Sequence, residues 1–157
     1  MSDSLNAGSV ITVEATQNDA EDLTELFDAY RVFYGRETDL SRARTFVRER
    51  LEARTTRFFL AKACASVVGF VHLMPSFDTL AMRPMWILED LFVELPQRRL
   101  GIGSALLRHA EAFARENDAA RLSLTTARTN GSAQRLYAAH KYERDELFWT
   151  YHRMLTD

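Results

Sequence analysis

The 157-residue sequence predicts one domain of the α+β class, with a mostly antiparallel, twisted sheet of six or seven strands and helices on both faces. Three observations support this class. Apolar, β-branched runs and segments of helical periodicity follow one another in the order β-α-α-β-β-β-α-β-α-β-β. The length suits one hydrophobic core. No repeat, low-complexity segment or linker interrupts residues 10–157. We therefore expect a flexible N-terminus over residues 1–9, followed by a single domain.

The first half of the chain contains three predicted strands and two helices. Asn18 or Asp19 offers an N-cap for the first helix, whose apolar side chains recur at helical spacing up to about Gly35. Asp39 or Ser41 offers the cap of the second helix. The strands are expected at residues 10–13, 57–63 and 66–74, the last two forming a hairpin, with a loop at residues 75–84.

The second half continues with the strand that we expect to be central. This strand is predicted at residues 85–93, and an amphipathic helix follows at residues 101–117. The remaining elements are a strand at residues 121–126, a helix at residues 130–140, and two final strands at residues 142–145 and 148–154. Because sequential strands mostly neighbour one another, the pattern differs from the regular βαβ alternation of a dinucleotide-binding domain.

Composition excludes several classes of function. The net charge of −2 and pI of about 6.1 give no general basic field for nucleic acid. Cys64 is the one cysteine, so neither an intramolecular disulfide nor a thiolate metal cluster is expected, and the histidines lack metal-ligand spacing. No apolar run approaches the roughly 20 residues of a membrane helix. We expect a cytoplasmic protein without a membrane partner.

The most informative stretch is residues 88–107, where an apolar strand, a loop with two arginines and two glycines, and a helix follow one another. The start of a helix attracts anions because its first amides lack partners within the helix. The loop is not a P-loop, since no lysine follows Gly103. It is a poor dinucleotide fingerprint as well, since Leu106 stands where the third glycine belongs.

What remains is the spacing Arg98-x-x-Gly101-x-Gly103. It resembles the pyrophosphate loop of the GNAT superfamily of acetyl-CoA-dependent N-acetyltransferases. The context agrees, because the loop follows a strand that ends Leu91-Phe92-Val93 and opens an amphipathic helix. The resemblance implies a GNAT-like sheet that splays open after its central strand to admit the pantetheine arm of CoA.

A second segment, residues 130–137, is similar to another GNAT signature, with an asparagine, an alanine and a Leu-Tyr pair at matching offsets. Lys141-Tyr142 departs from the glycine-aromatic pair that often ends this signature. The strand at residues 86–93 looks most like that of the polyamine or histone/polyamine acetyltransferases. The motif similarity lies within residues 88–142.

The resemblance implies a set of cofactor contacts. The loop amides would hold the pyrophosphate, the two arginines would add charge, and the strand end would pair with pantetheine. Asn130 would contact pantetheine, although an N-cap role is equally good and both roles are compatible. The implied residues that bind acetyl-CoA are Leu91, Phe92, Val93, Arg98, Arg99, Leu100, Gly101, Ile102, Gly103, Ser104, Asn130, Ala133 and Tyr137.

The chemistry implied is direct transfer of the acetyl group to a primary amine. Tyr137 matches the general acid of the family, which protonates the departing thiolate. The amine needs a base, and Glu89 and Asp90 on the central strand are the candidates. Strand alternation places them on opposite faces unless a bulge intervenes. We favour Glu89 for its longer reach, and the choice stays open.

The acceptor is not specified by the sequence. Tyr30, Phe33 and Tyr34 on the first helix, with Phe77 in the loop at residues 75–84, are expected to line its pocket. A polyamine-like molecule, an amino acid, another small amine or a protein lysine all fit, and a homodimer is expected from the resemblance. Two alternatives remain: a non-catalytic CoA sensor or interaction module of the same fold, and an NAD- or nucleotide-binding protein, which the two failed motifs disfavour.

Overall fold

A computed structural model describes residues 10–155 of the chain. The expected flexible segment, residues 1–9, therefore lies outside the described residues. The described residues belong to two compact units that meet between Thr125 and Thr126 in the sequence. Each unit is described by itself, and the assignment of residues 10–157 to one domain stays a prediction.

The first unit contains one mixed sheet in the order β1-β2-β3-β4-β5. The pairs β1–β2, β2–β3 and β3–β4 are antiparallel, and β4–β5 is parallel. The strands are β1 (Val10–Glu14), β2 (Arg57–Ala63), β3 (Ser66–Asp78), β4 (Arg83–Val93) and β5 (Leu122–Leu124). This is the mostly antiparallel α+β sheet that the sequence predicts.

Two details of the predicted sheet are wrong. Residues 75–84 are mainly strand rather than loop, because β3 and β4 keep pairing out to Asp78 and Arg83. The sheet has five strands within residues 10–155 rather than six or seven, since residues 142–155 contain no strand. The alternating pattern there meets no neighbouring strand in its own unit, and the Asp145 carboxylate accepts from the amides of Leu147 and Phe148, which forms a turn instead.

Helices cover both faces of the sheet, as predicted. The covering helices are α1 (Ala20–Phe33), α2 (Leu40–Ala53) and α3 (Ile102–Glu116), all in the first unit. The second unit contains α4 (Gly131–Ala139). Consecutive strand residues point to opposite faces. Phe58 of β2 accordingly joins the core beneath α1 and α2, whereas Phe59 contacts His109 and Phe113 of α3.

The connection between α1 and α2 depends on a buried carboxylate. Asp28 is 5% exposed and accepts hydrogen bonds from the Asp39 amide, the Thr38 hydroxyl and the Arg31 guanidinium. Burial by itself would raise the pKa of Asp28, and these three donors together hold it below its usual value. Asp39 in turn caps α2 by accepting from the Arg42 amide at 3.0 Å. The aromatic C-terminal end of α1 is thereby held in a fixed position.

Candidate active site

The central strand β4 contains a bulge at Glu89, which is located by the pairing of β4 with its neighbours β3 and β5. On the β3 side, His72 pairs with Asp90 and Leu73 pairs with Leu88, so Glu89 is an extra residue without a partner. On the other side, β5 pairs only with Trp86–Leu88. The bulge therefore lies where β4 loses its β5 partner, and the strand continues to Val93 with that edge unpaired by any described strand. This unpaired edge lies where the GNAT resemblance implies that the sheet opens.

The bulge changes the relation between the two candidate bases. In a regular strand they would lie on opposite faces, and the extra residue at Glu89 interrupts that alternation. Burial raises the pKa of Tyr30 well above its usual range, and the nearby Asp90 and, to a smaller extent, Tyr34 and Glu89 raise it further. Asp90 is 8% exposed, whereas Glu89 is exposed. The accessible carboxylate is Glu89.

Asp90 has a partner that the sequence did not indicate. Its Oδ2 atom lies 2.9 Å from Nδ1 of His72, and Nε2 of the same ring lies 2.9 Å from the Thr56 hydroxyl. The His72 ring also stacks on Phe58 at 3.9 Å between centroids. This contact follows from the pairing register of β3 with β4, which depends on the bulge at Glu89, so it could be predicted from the sequence only if that register were known.

The aromatic residues of α1 form one cluster beside this carboxylate pair. Tyr30 packs edge-on against Tyr34, Phe70 and Phe92, and Phe33 contacts Tyr34 and Phe92. Phe33 and Tyr34 are each 49% exposed, so the cluster has an open side. Three of the four predicted acceptor residues are thus together.

Phe77 lies elsewhere. It is 75% exposed and pairs with Pro84 near the tip of the β3–β4 hairpin. It lies five positions beyond His72 in β3, which is about 17 Å along a strand. The structure therefore does not bring Phe77 together with the α1 aromatics.

The end of β4 offers backbone groups to a ligand. The Glu94 amide donates to the Val68 carbonyl of β3, and alternate residues of a strand face alternate sides. Phe92 therefore directs its backbone toward β3, whereas Leu91 and Val93 direct theirs toward the open edge. Of the three predicted residues, Leu91 and the amide of Val93 have the geometry to pair with an extended ligand, since the Val93 carbonyl already accepts from Arg98.

Arg98 is occupied within the protein. Its Nε donates to the Val93 carbonyl at 2.8 Å, and its guanidinium lies over the rings of Phe33 and Phe92 at 4.9 and 5.5 Å. Arg98 thus joins the loop to β4 and α1. Arg99 has a positive φ of 63°, and Leu100 is 66% exposed, so both belong to a sharp turn that leads into α3.

The start of α3 has the geometry of an anion site. Gly101 has φ of +80°, a conformation that favours glycine, and Ile102 is buried and anchors the first turn. The first hydrogen bond of the helix runs from the Ala105 amide to the Gly101 carbonyl, so the amides of Ile102 and Gly103 lie ahead of it. The Ser104 hydroxyl accepts from Arg108 at 2.9 Å, which brings to the first turn a cation that the sequence motif did not include.

In the second unit, Asn130 is the N-cap of α4. Its side-chain oxygen accepts a hydrogen bond from the Ala133 amide at 3.2 Å, which is the N-cap role, one of the two roles predicted for Asn130 from the sequence. The ring of Tyr137 lies 5.8 Å from that of Tyr142. Lys141 has φ of +64°, so the chain keeps the left-handed turn at the position where related sequences often have glycine.

Comparison with known proteins agrees with these features. The model of the acetyltransferase (GNAT) family matches residues 20–142. The chain is 36% identical over 138 residues to the uncharacterized N-acetyltransferase YhfO of Bacillus subtilis, covering 88% of this chain and 93% of that protein. It is 32% identical to a probable acetyltransferase of Haemophilus influenzae, over 64% of this chain and 69% of that one.

A solved structure of a probable acetyltransferase has a TM-score of 0.88 and 34% identity to this chain, covering 94% of this chain and 99% of the other. The chain belongs to the GNAT family. It is an acyltransferase enzyme with the N-acetyltransferase function of that family. These comparisons do not confirm the resemblance to the polyamine or histone subgroup.

GNAT acetyltransferases use acetyl-CoA in general, and the resemblance implies where this chain would hold it. The left-handed Gly101 and the amides that follow it form a cradle that suits a pyrophosphate, and the open edge of β4 suits the amide groups of pantetheine. No helix among residues 10–155 has the length and apolar character needed to cross a membrane.

Proposed function

We propose that this GNAT enzyme transfers the acetyl group of acetyl-CoA directly to a primary amine that enters as an ammonium ion. The observation that carries the proposal is the bulge of β4, because it places the exposed Glu89 next to the buried Asp90, and the charges of both raise the pKa of the Tyr30 phenol. Two carboxylates beside aromatic rings form a site that favours a cation. The exposed rings of Phe33 and Tyr34 extend the same surface.

The proposed roles follow from position. Glu89 is the exposed carboxylate, and it accepts the proton of the ammonium directly or through a water molecule. The free amine nitrogen then attacks the thioester carbon, the carbon–nitrogen bond forms and the carbon–sulfur bond breaks, and the nitrogen releases its second proton to solvent to give the amide. The family resemblance supplies Tyr137 as the donor of a proton to the departing thiolate. Asp90 is buried against His72, so it is assigned to organising the site rather than to exchanging protons with solvent.

The acceptor class is proposed on charge. Small cationic amines of polyamine type suit the carboxylate pair best, and the lysine side chain of a peptide has the same reacting group. Acetyl-CoA binding by residues 98–104 and by the edge of β4 is part of the proposal. A homodimer stays a prediction.

The experiment is a screen of acetyl-CoA consumption across polyamines, amino acids, aminoglycosides and lysine peptides, with formation of the acetylated product measured by mass spectrometry. We expect turnover to be highest with aliphatic amines that carry a second positive charge. Neutral alcohols of equal size serve as the matched controls. Stabilisation by acetyl-CoA in a thermal melt without turnover of any amine would favour the CoA-sensor alternative.

A further inference from the structure

His72 is the feature that the proposed chemistry does not use. It is 2% exposed, lies in the middle of β3 and pairs with Asp90 across the sheet. Neighbouring core positions on this face are aromatic or aliphatic, among them Phe58, Phe70 and Phe92. A buried imidazole in such a setting needs hydrogen-bond partners, and this one has a partner on each ring nitrogen.

Three contacts fix the orientation of the His72 ring. Phe58 stacks on it with 5° between the planes, the Thr56 hydroxyl meets Nε2, and the Asp90 carboxylate meets Nδ1. The Thr56 hydroxyl can donate to Nε2 or accept from it. Because the Asp90 carboxylate can only accept, Nδ1 is the nitrogen that donates to it, and the Thr56 hydroxyl is a partner for Nε2 whether or not that nitrogen carries hydrogen.

Asp90 connects the fixed His72 ring to the residues where the amine acceptor is proposed to bind. It adjoins the bulged Glu89, and it lies close enough to the Tyr30 phenol for its charge to raise the pKa of that phenol. Tyr30 in turn packs edge-on against Tyr34. Hydrogen bonds thus connect Thr56, just before β2, through His72 to Asp90, and the Asp90 charge acts on the Tyr30 phenol of α1. These interactions join three strands or strand ends and one helix.

We propose that His72 is a positioning residue of acetyl transfer: through Asp90 it holds the bulge and the Tyr30 hydroxyl in the arrangement that receives the ammonium group. The inference rests on the proposed function, because it assigns the bulge and Tyr30 to the amine. His72 does not touch the substrate. Its contribution concerns the amine and leaves acetyl-CoA binding unaffected, since none of its contacts involves residues 98–104.

Two substitutions separate the contacts of His72. The amide nitrogen of Asn occupies the place of Nδ1, so His72→Asn keeps a donor for Asp90 and loses the contact with Thr56. The amide of Gln reaches the place of Nε2, so His72→Gln keeps Thr56 and leaves Asp90 without its donor. His109→Gln is the matched control, because His109 also contacts a threonine hydroxyl, Thr12, at 2.8 Å and packs on a phenylalanine, but on the α3 face.

The first measurement is the initial rate with saturating acetyl-CoA and varied amine. We expect His72→Gln to lower kcat/KM for the amine about 10- to 100-fold with the KM of acetyl-CoA unchanged, since small displacements of a positioning group cost that much. His72→Asn recovers most of the loss, and His109→Gln matches the parent protein. Values for His72→Gln within twofold of the parent, or equal losses in all three variants, would overturn the proposal.

The second measurement does not depend on activity. Tyrosine is labelled with carbon-13 at Cζ, and the Tyr30 signal is assigned with Tyr30→Phe. We expect His72→Gln to move this signal at neutral pH and His72→Asn to leave it in place. If the parent acetylates no amine, the proposed function fails, and the Tyr30 signal alone decides the inference: an unmoved signal in His72→Gln overturns it.

A third variant covers loss of folding. If His72→Gln does not fold, the double change His72→Leu with Asp90→Leu removes both buried polar groups together and leaves no unpaired charge. We expect it to fold, to keep the KM of acetyl-CoA, and to lose amine kcat/KM at least as much as predicted for His72→Gln. Retained amine kcat/KM in the double variant would overturn the proposal.

Discussion

The loop that begins α3 and the bulge of β4 are separated by about ten residues of sequence, yet they are built from different contacts. At the α3 loop the ligand-facing groups are backbone amides, and Gly101 with φ of +80° sets their direction. At the bulge they are side chains drawn from separate elements, and Tyr30 and Asp90 are 60 residues apart in the chain. The first region depends on local conformation, and the second depends on the pairing of β3 with β4.

The difference predicts different sensitivities. Side-chain changes at the bulge should alter the amine chemistry and spare acetyl-CoA binding. Changes in backbone conformation at the loop should weaken acetyl-CoA binding and spare the amine chemistry, because the binding groups proposed there are backbone amides rather than side chains. If a substitution in either region changed both the amine kinetics and acetyl-CoA binding, the two regions would not function separately.

The largest effect is expected for Glu89→Gln. Removal of the proposed base lowers kcat for the amine by about 100-fold or more near neutral pH, with the KM of acetyl-CoA unchanged. The deficit should shrink as pH rises, because solvent then supplies the free amine. Steady-state rates from pH 6 to 10 provide the test, and Glu94→Gln, beyond the end of β4, is the control. Parent-like turnover in Glu89→Gln would assign the base elsewhere.

Tyr137→Phe comes next. Loss of the phenolic hydroxyl removes the proposed proton donor to the thiolate, so kcat falls about 10- to 100-fold while the affinity for acetyl-CoA stays within about twofold. Calorimetric binding of acetyl-CoA and steady-state turnover measure the two quantities separately. Tyr142→Phe, the neighbouring ring of the same unit, is the comparison. Equal kcat in Tyr137→Phe and the parent would remove Tyr137 from the mechanism.

Substitution of two glycines tests whether the backbone conformation of the α3 loop controls acetyl-CoA binding. Gly101 and Gly35 have φ of +80° and +78°, and an added Cβ would meet no atom within 4 Å at either. Alanine therefore costs about 1–2 kcal/mol of backbone strain at both positions without a steric clash. We expect Gly101→Ala to raise the KM of acetyl-CoA about 5- to 30-fold, whereas Gly35→Ala, after α1, affects only stability or amine KM. An unchanged KM of acetyl-CoA in Gly101→Ala would contradict the cradle.

The smallest expected effect is a difference in thermal stability between substitutions of the two adjacent arginines, Arg98 and Arg99. Arg98→Met removes the hydrogen bond to Val93 and the contacts over Phe33 and Phe92, which should cost about 1–2 kcal/mol of stability and lower Tm by a few degrees. Arg99→Met should leave Tm unchanged within about 1 °C. Thermal melts without ligand make the comparison. A larger loss of Tm in Arg99→Met would reverse the roles assigned to them.

Much of the fold and of the cofactor side could be predicted from sequence because the signals are local. Helical periodicity located α1 to α4, and Asn130 caps α4 as its spacing allows. The glycine spacing located the start of α3, where a left-handed residue precedes the first turn. Even Lys141 keeps its left-handed turn without glycine. These features depend on residues within one or two turns of each other.

Tertiary structure decided the rest, because it depends on which strands pair and in what register. The extension of β3 to Asp78 and the start of β4 at Arg83 come from pairing that Pro75 and Pro84 do not prevent. The predicted strands in residues 142–155 are absent where no neighbouring strand exists in their unit.

The acceptor side shows the same division between sequence and structure. The sequence by itself determined the chemical types at this site: two carboxylates on the central strand and aromatic rings on α1. The bulge at Glu89 then decided how they are used, because one extra residue changes which face a carboxylate reaches. It brought His72 opposite Asp90 and left Glu89 exposed. That choice is a matter of cross-strand register, which no local pattern encodes.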